Sequence, residues 1–144
     1  MPREDIGLGC GQSQEPVDDL DEGVRGLRPV TVPQDIGINV AEGYLTSLHT
    51  HDASGIIHIE SPTSRTFTLG EVFDVWGVRF STTCLGGYCN GGSRRVWVFM
   101  NGRQVTSDPR RIQLAAHQEI VVAYGTSREL PSPIPSSYSF PTGL

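Results

Sequence analysis

The chain contains no lysine, few charged residues and no long apolar segment. All eleven basic residues among its 144 are arginines, which excludes mechanisms that use a lysine amine, such as Schiff-base formation. No run of eighteen apolar residues is present, so this sequence offers no transmembrane helix. Charged residues make up only 19%, too few for a coiled coil. We therefore expect one domain with a core of ordinary size, rich in strands and loops.

The negative charge is concentrated at the N-terminus. The formal net charge is −5, and the first 22 residues contain seven acidic side chains and one arginine, so residues 23–144 are nearly neutral. Adjacent arginines occur only as the pairs Arg94-Arg95 and Arg110-Arg111. A nucleic-acid-binding protein needs a basic patch or stripe. The sequence therefore excludes nucleic acid as a partner.

Both ends of the chain have the composition of extended tails. Residues 1–28 are acidic and residues 126–144 are rich in proline and serine, so neither end buries enough apolar surface to offset its ordering entropy. We predict a single domain over residues 29–125, with both tails ordered by partner protein chains. Residues 1–9 lack the apolar core of a secretory signal. We expect the chain to reach its compartment within a larger assembly, or its true start to lie upstream.

One segment predicts a helix, over residues 69–76. Thr68 and Glu71 have the spacing of a capping box, and Leu69, Phe73 and Trp76 fall on one face at helical spacing. Gly77 is placed to end the helix. We expect the face that carries the three apolar side chains to pack on the core.

Short apolar segments on either side of this helix predict strands. Residues 45–51 and 56–60 form a predicted hairpin around a turn at 52–55. Asn101-Gly102 predicts a second hairpin. Further strands are expected at residues 29–33 and 36–40, as an N-terminal β extension, and at 119–124. The predicted class is α+β, with an all-β sandwich as the alternative.

Two stretches resemble ubiquitin-like sulfur carriers. Residues 67–73 resemble the start of the carrier helix, and residues 96–105 with Leu114 and residues 119–122 resemble the closing strands. This resemblance, over residues 56–124, implies a β-grasp-like mixed sheet with one short helix. The carriers react through a C-terminal Gly-Gly, whereas residues 141–144 read Pro-Thr-Gly-Leu, so the resemblance implies the fold without the chemistry.

A second resemblance covers most of the predicted domain. The segment HTHDASGIIHIESP at residues 49–62, with residues 36–38, 67–70 and 74–77, resembles an uncharacterised family of bacterial extracytoplasmic proteins. The resemblance implies a periplasmic or cell-surface location and no particular activity.

Two of the three cysteines lie close together in a glycine-rich loop. Cys84 and Cys89 are five positions apart, near enough to form a disulfide, which would imply an oxidising compartment. Two unlinked thiols are the alternative. The spacing does not match a zinc knuckle, and the sequence assigns no role to Cys10.

Three of the four histidines fall within ten residues. His49 and His51 share one face of a strand, because side chains alternate. If His51 pairs with Ile56, then His49 lies opposite His58, and Glu60 joins them on the same face. A bulge at Gly55 would instead pair His51 with Ile57 and turn His58 to the other side.

This group predicts a site for a Zn or Cu ion, with His49, His51, His58 and Glu60 as ligands. Asp52 is an alternative oxygen donor. Two other interpretations are a hydrogen-bonded polar ladder and a catalytic base. We expect His117 to be solvated, and no serine or cysteine has a recognisable neighbouring base. The sequence therefore predicts a non-catalytic, extracytoplasmic metal-binding protein. The alternative is an accessory or structural subunit of a membrane-associated or filamentous assembly.

Overall fold

A mixed sheet and one helix organise the part of the chain that the computed structural model describes, residues 3–13 (backbone only) and 27–142. In chain order the elements are β1 (Arg3–Ser13), β2 (Leu27–Val30), β3 (Ile38–Asn39), β4 (Tyr44–Leu45), β5 (Leu48–His49), β6 (Ile56–Glu60), α1 (Leu69–Trp76), β7 (Cys84–Leu85), β8 (Tyr88–Cys89), β9 (Arg95–Met100), β10 (Arg103–Gln104) and β11 (Glu119–Gly125). Two 3-10 turns, Pro109–Arg111 and Ser127–Glu129, complete the set.

The main sheet has the order β5-β6-β1-β11-β9-β10, and β2 pairs with the far end of β1. Its central strands β1 and β11 run parallel, whereas the other pairings are antiparallel. The hairpins β3–β4 and β7–β8 lie outside this sheet. The predicted α+β class is confirmed.

The strand β1 lies within the segment that the sequence predicts to be an acidic N-terminal tail. Residues 3–7 pair with β6 and residues 7–12 pair with β11, so this strand lies in the middle of the sheet. The segment is acidic and glycine-rich, a composition that is depleted in strands. Backbone hydrogen bonds on both edges do not depend on side-chain type. The remaining residues of the predicted tail, 1–2 and 14–26, lie outside the described residues.

The C-terminal segment contacts its own domain. After the turn at Ser127–Glu129 the chain passes the β9–β10 turn, where Ser136 lies against Gly102. Further on, the Phe140 ring lies 4.9 Å from the His117 ring. These contacts place the segment against its own domain.

The helix prediction is confirmed. Thr68 caps α1 and exchanges hydrogen bonds with Glu71 in a capping box. Gly77 ends the helix with φ 79° and donates its N–H to the carbonyls of Phe73 and Asp74. Such a left-handed residue is favourable for glycine.

The core lies between α1 and one face of the sheet. Leu69 and Phe73 are buried in it, and Trp76 packs on it partly exposed. Leu48, Ile57 and Ile59 contribute from β5 and β6. Because side chains alternate along a strand, the neighbouring residues His49 and His58 project from the opposite face.

Candidate metal centre

The β5–β6 hairpin has the register that brings the histidines together. Leu48 pairs with Ile59, and His49 pairs with His58. This register confirms the unbulged alternative. The strand β5 is shorter than predicted, because Thr50 pairs its backbone with Ile36 instead of continuing along β6.

The three imidazole rings form one cluster. The His51 ring centroid lies 4.7 Å from that of His49 and 4.7 Å from that of His58. The His49 and His58 centroids are 5.7 Å apart. His49 and His58 are buried, with 1% and 5% exposure, whereas His51 is exposed in the turn.

A carboxylate completes a group that could hold a metal ion. His49, His51 and Glu60 each offer one donor atom, and these atoms lie within 4.8 Å of one another. Metal–nitrogen and metal–oxygen bonds at zinc are about 2.0–2.2 Å long, so small side-chain rotations would bring the three donors to one ion. Glu60 is half-buried, at the end of β6.

His49 has the hydrogen bonding of a metal ligand. Its Nδ1 lies 2.8 Å from the carbonyl oxygen of Thr46, and a carbonyl only accepts, so Nδ1 carries the proton and donates it. The Nε2 lone pair is then left buried, with no hydrogen-bond partner among the described residues. Metal-bound histidines are typically oriented in this way, with the second nitrogen donating to a carbonyl or carboxylate.

The surroundings of His49 favour its neutral form. Burial lowers its pKa, because desolvation penalises the charged ring, and the nearby His51 and His58 lower it further. The hydrogen bond to Thr46 and the Glu60 carboxylate act in the opposite direction, and the net shift is downward. A metal binds the neutral form of imidazole.

The remaining candidate side chains, His58 and Asp52, and the fourth histidine, His117, lie outside the three-donor group. His58 belongs to the ring cluster but not to the three-donor group. Asp52 accepts hydrogen bonds from the backbone and hydroxyl of Ser54, and these bonds lower its pKa. Its carboxylate therefore shapes the turn. His117 packs against Phe140.

Sequence reasoning missed one buried carboxylate. Glu119 opens β11 with 7% exposure, and its Oε2 has no hydrogen-bond partner among the described residues. Desolvation raises the pKa of Glu119 to about 7. A single glutamate beside an apolar strand resembles an ordinary exposed strand end, so no sequence pattern indicates that Glu119 is buried.

The predicted disulfide is present. Cys84 and Cys89 face each other across β7 and β8 and are bonded. Cys84 is buried and Cys89 is exposed. The side chain of Cys10 is not among those described.

Comparisons with protein-family models, with curated proteins and with solved structures find no match to this chain. Among the described residues, α1 and the two 3-10 turns are too short and too polar to cross a bilayer.

Proposed function

We propose that this chain is a non-catalytic protein that binds a Zn or Cu ion through His49, His51 and Glu60, with the ring of His58 packed beside them. The observation that carries the proposal is the buried Nε2 of His49, which has no hydrogen-bond partner among the described residues, on a side chain that belongs to the three-donor group. Leaving a polar atom buried and unpaired costs on the order of 1–3 kcal/mol. A bound ion would remove that cost.

The polar-ladder interpretation accounts less well for His49. In a ladder each buried ring nitrogen would find a hydrogen-bond partner, because unpaired buried groups are rare in folded proteins. The mixed imidazole and carboxylate donors suit Zn, and imidazole also suits Cu. A non-catalytic role agrees with the sequence, which places no recognisable nucleophile beside a base.

Two features support the predicted fold and location. A β-grasp-like arrangement is supported by a helix packed on one face of a mixed sheet whose central strands are parallel. In that interpretation Arg3–Ser13 supplies a central strand. An extracytoplasmic location, in a bacterial family of that kind, is supported by the Cys84–Cys89 disulfide.

One observation favours the alternative role as an accessory subunit. Val40, Tyr44 and Leu45, in and beside the β3–β4 hairpin, are 76%, 53% and 50% exposed. Contiguous exposed apolar groups mark interaction surfaces. A metal-binding protein could also dock on partner chains through this hairpin and through its terminal segments.

Elemental analysis of the native protein, followed by calorimetry with Zn and Cu(II) at neutral pH, tests the proposal. We expect one ion per chain, and we expect His49→Ala to weaken binding by about a hundredfold or more. His117→Ala is the matched control, because it removes an imidazole outside the cluster. The affinity of this variant for the ion should equal that of the unmodified chain. Absence of Zn and Cu binding by the folded protein would show the proposal to be wrong.

A further inference from the structure

We infer that the bound ion keeps one coordination position open to solvent on the His51 side, where a small monodentate donor binds. The donor is water in the resting protein, and a small anion or a free imidazole can replace it. This inference rests on the proposed metal site and adds how that site exchanges ligands.

The three donor side chains differ in burial, from His49 in the interior to His51 at the surface. His49 is almost fully buried, Glu60 is half-buried and His51 is exposed in the turn. An ion held by all three would have protein on the His49 side and solvent on the His51 side. A small molecule would therefore reach the ion past His51.

The number of donors also favours an open position. Structural zinc sites are closed by four protein ligands, whereas sites with three protein ligands keep a water or another exogenous ligand in the fourth place. Among the residues whose side chains the structure describes, the group supplies three donor atoms within 4.8 Å of one another. His58 is the side chain best placed to fill the fourth position.

Ring orientation disfavours His58 as that fourth ligand. The lone pair of an imidazole lies in the ring plane, so an ion must lie close to the planes of all rings that bind it. The planes of His49 and His51 are 74° apart and therefore intersect. Those of His49 and His58 are only 18° apart, with the rings stacked at a centroid distance of 5.7 Å. Stacked rings direct their lone pairs along separate planes, so one ion cannot lie close to the planes of both His49 and His58.

An open position makes the ion exchangeable. An incoming ligand can bind before an existing one leaves, so the ion can pass to another protein or chelator without unfolding of the hairpin. Such a site would suit the acquisition or delivery of a metal better than the permanent stabilisation of the fold by a structural ion.

Azide binding to the copper-loaded full chain tests the inference. The protein is loaded with Cu(II), its metal content is measured, and azide is titrated while the azide-to-copper charge-transfer absorption and the electron paramagnetic resonance spectrum are recorded. We expect one saturable binding event per copper. We also expect His58→Ala to respond to azide as the unmodified chain does, with His117→Ala as the control.

The other outcomes separate this inference from the proposal beneath it. A copper-loaded protein that ignores azide overturns the open position. If His58→Ala then gains the azide response, His58 fills the fourth place and the centre is closed. A folded chain that retains no metal overturns the metal site itself, and the open position with it.

Discussion

At the scale of single residues, Glu119 links stability to pH. Its pKa is raised to about 7 by burial, whereas an unfolded chain would titrate it near its ordinary value of 4.5. At a pH between these two pKa values, Glu119 is protonated in the folded state and ionised in the unfolded state. Stability therefore falls as the pH rises through this window, and the loss stays constant above it.

Glu119→Gln should remove this dependence. Glutamine keeps the shape of the side chain without the charge, and one pKa unit corresponds to about 1.4 kcal/mol, so the gain in stability at pH 8 should reach up to about 3 kcal/mol. Urea unfolding at pH 5 and pH 8 measures the effect. Glu42→Gln, at an exposed position, is the control. An unchanged pH dependence in Glu119→Gln would contradict the assignment.

The sequence predicts the buried histidines better than it predicts the buried glutamate. Strand alternation and a four-residue turn reduce the choice for His49 and His58 to two registers, and the unbulged one places them on the same face. His51 joins them from the turn rather than from the strand. The burial of Glu119 depends on how strands distant in sequence surround β11, and no local pattern encodes that.

At the scale of elements, Gly37 lets the β3–β4 hairpin approach β5. It has φ +70°, and an added Cβ would overlap the Leu48 carbonyl oxygen and the Thr46 hydroxyl. Gly43 has nearly the same φ, +71°, but nothing lies within 4 Å of its added Cβ. Comparing substitutions at the two positions therefore distinguishes the cost of backbone strain from the cost of steric overlap.

Alanine at these two glycines should give very different stabilities. Gly43→Ala meets only the left-handed backbone penalty, about 1–2 kcal/mol. Gly37→Ala adds a clash with the backbone of the strand that carries His49, so we expect a loss above about 3 kcal/mol. Denaturant unfolding of both variants provides the measurement. Equal losses would show that the approach of Gly37 to β5 has no energetic role.

The disulfide in the β7–β8 hairpin can be tested chemically. With Cys84 bonded to Cys89, alkylation of the denatured protein without reductant should leave both of these cysteines unmodified, and alkylation after reduction should modify both. Closing so short a loop should stabilise the fold by about 2 kcal/mol. Intact-mass measurement counts the modified thiols. Modification of Cys84 and Cys89 without reductant would disprove the bond.

The helix and the central strand show what the sequence encodes locally. The α1 helix has its own start and stop signals at Thr68, Glu71 and Gly77, so its bounds are predictable. The β1 strand has none, because glycines and acids occupy positions where β-branched residues usually indicate a strand. Its place is set by hydrogen bonding to β6 and β11 on either side.

At the scale of the whole molecule, the parallel β1–β11 pair joins segments from opposite ends of the chain. Parallel strands need a long crossover and leave no turn signal between them. The sequence could therefore predict the hairpins on either side of the helix but not the strand that joins them into one sheet. For the same reason, nothing in the sequence marks residues 3–13 as a strand within the predicted tail.

The C-terminal segment allows self-contact and partner contact to be distinguished. Phe140 packs on His117 and also contacts Tyr138, so the isolated protein should hold this segment by itself. Phe140→Ala should release it and accelerate tryptic cleavage after Arg128, which precedes the segment. Ser139→Ala, at an exposed neighbouring position, should leave the cleavage rate unchanged. If the unmodified monomer is cut as fast as Phe140→Ala, the internal contacts do not hold the segment, and a partner chain must supply its order.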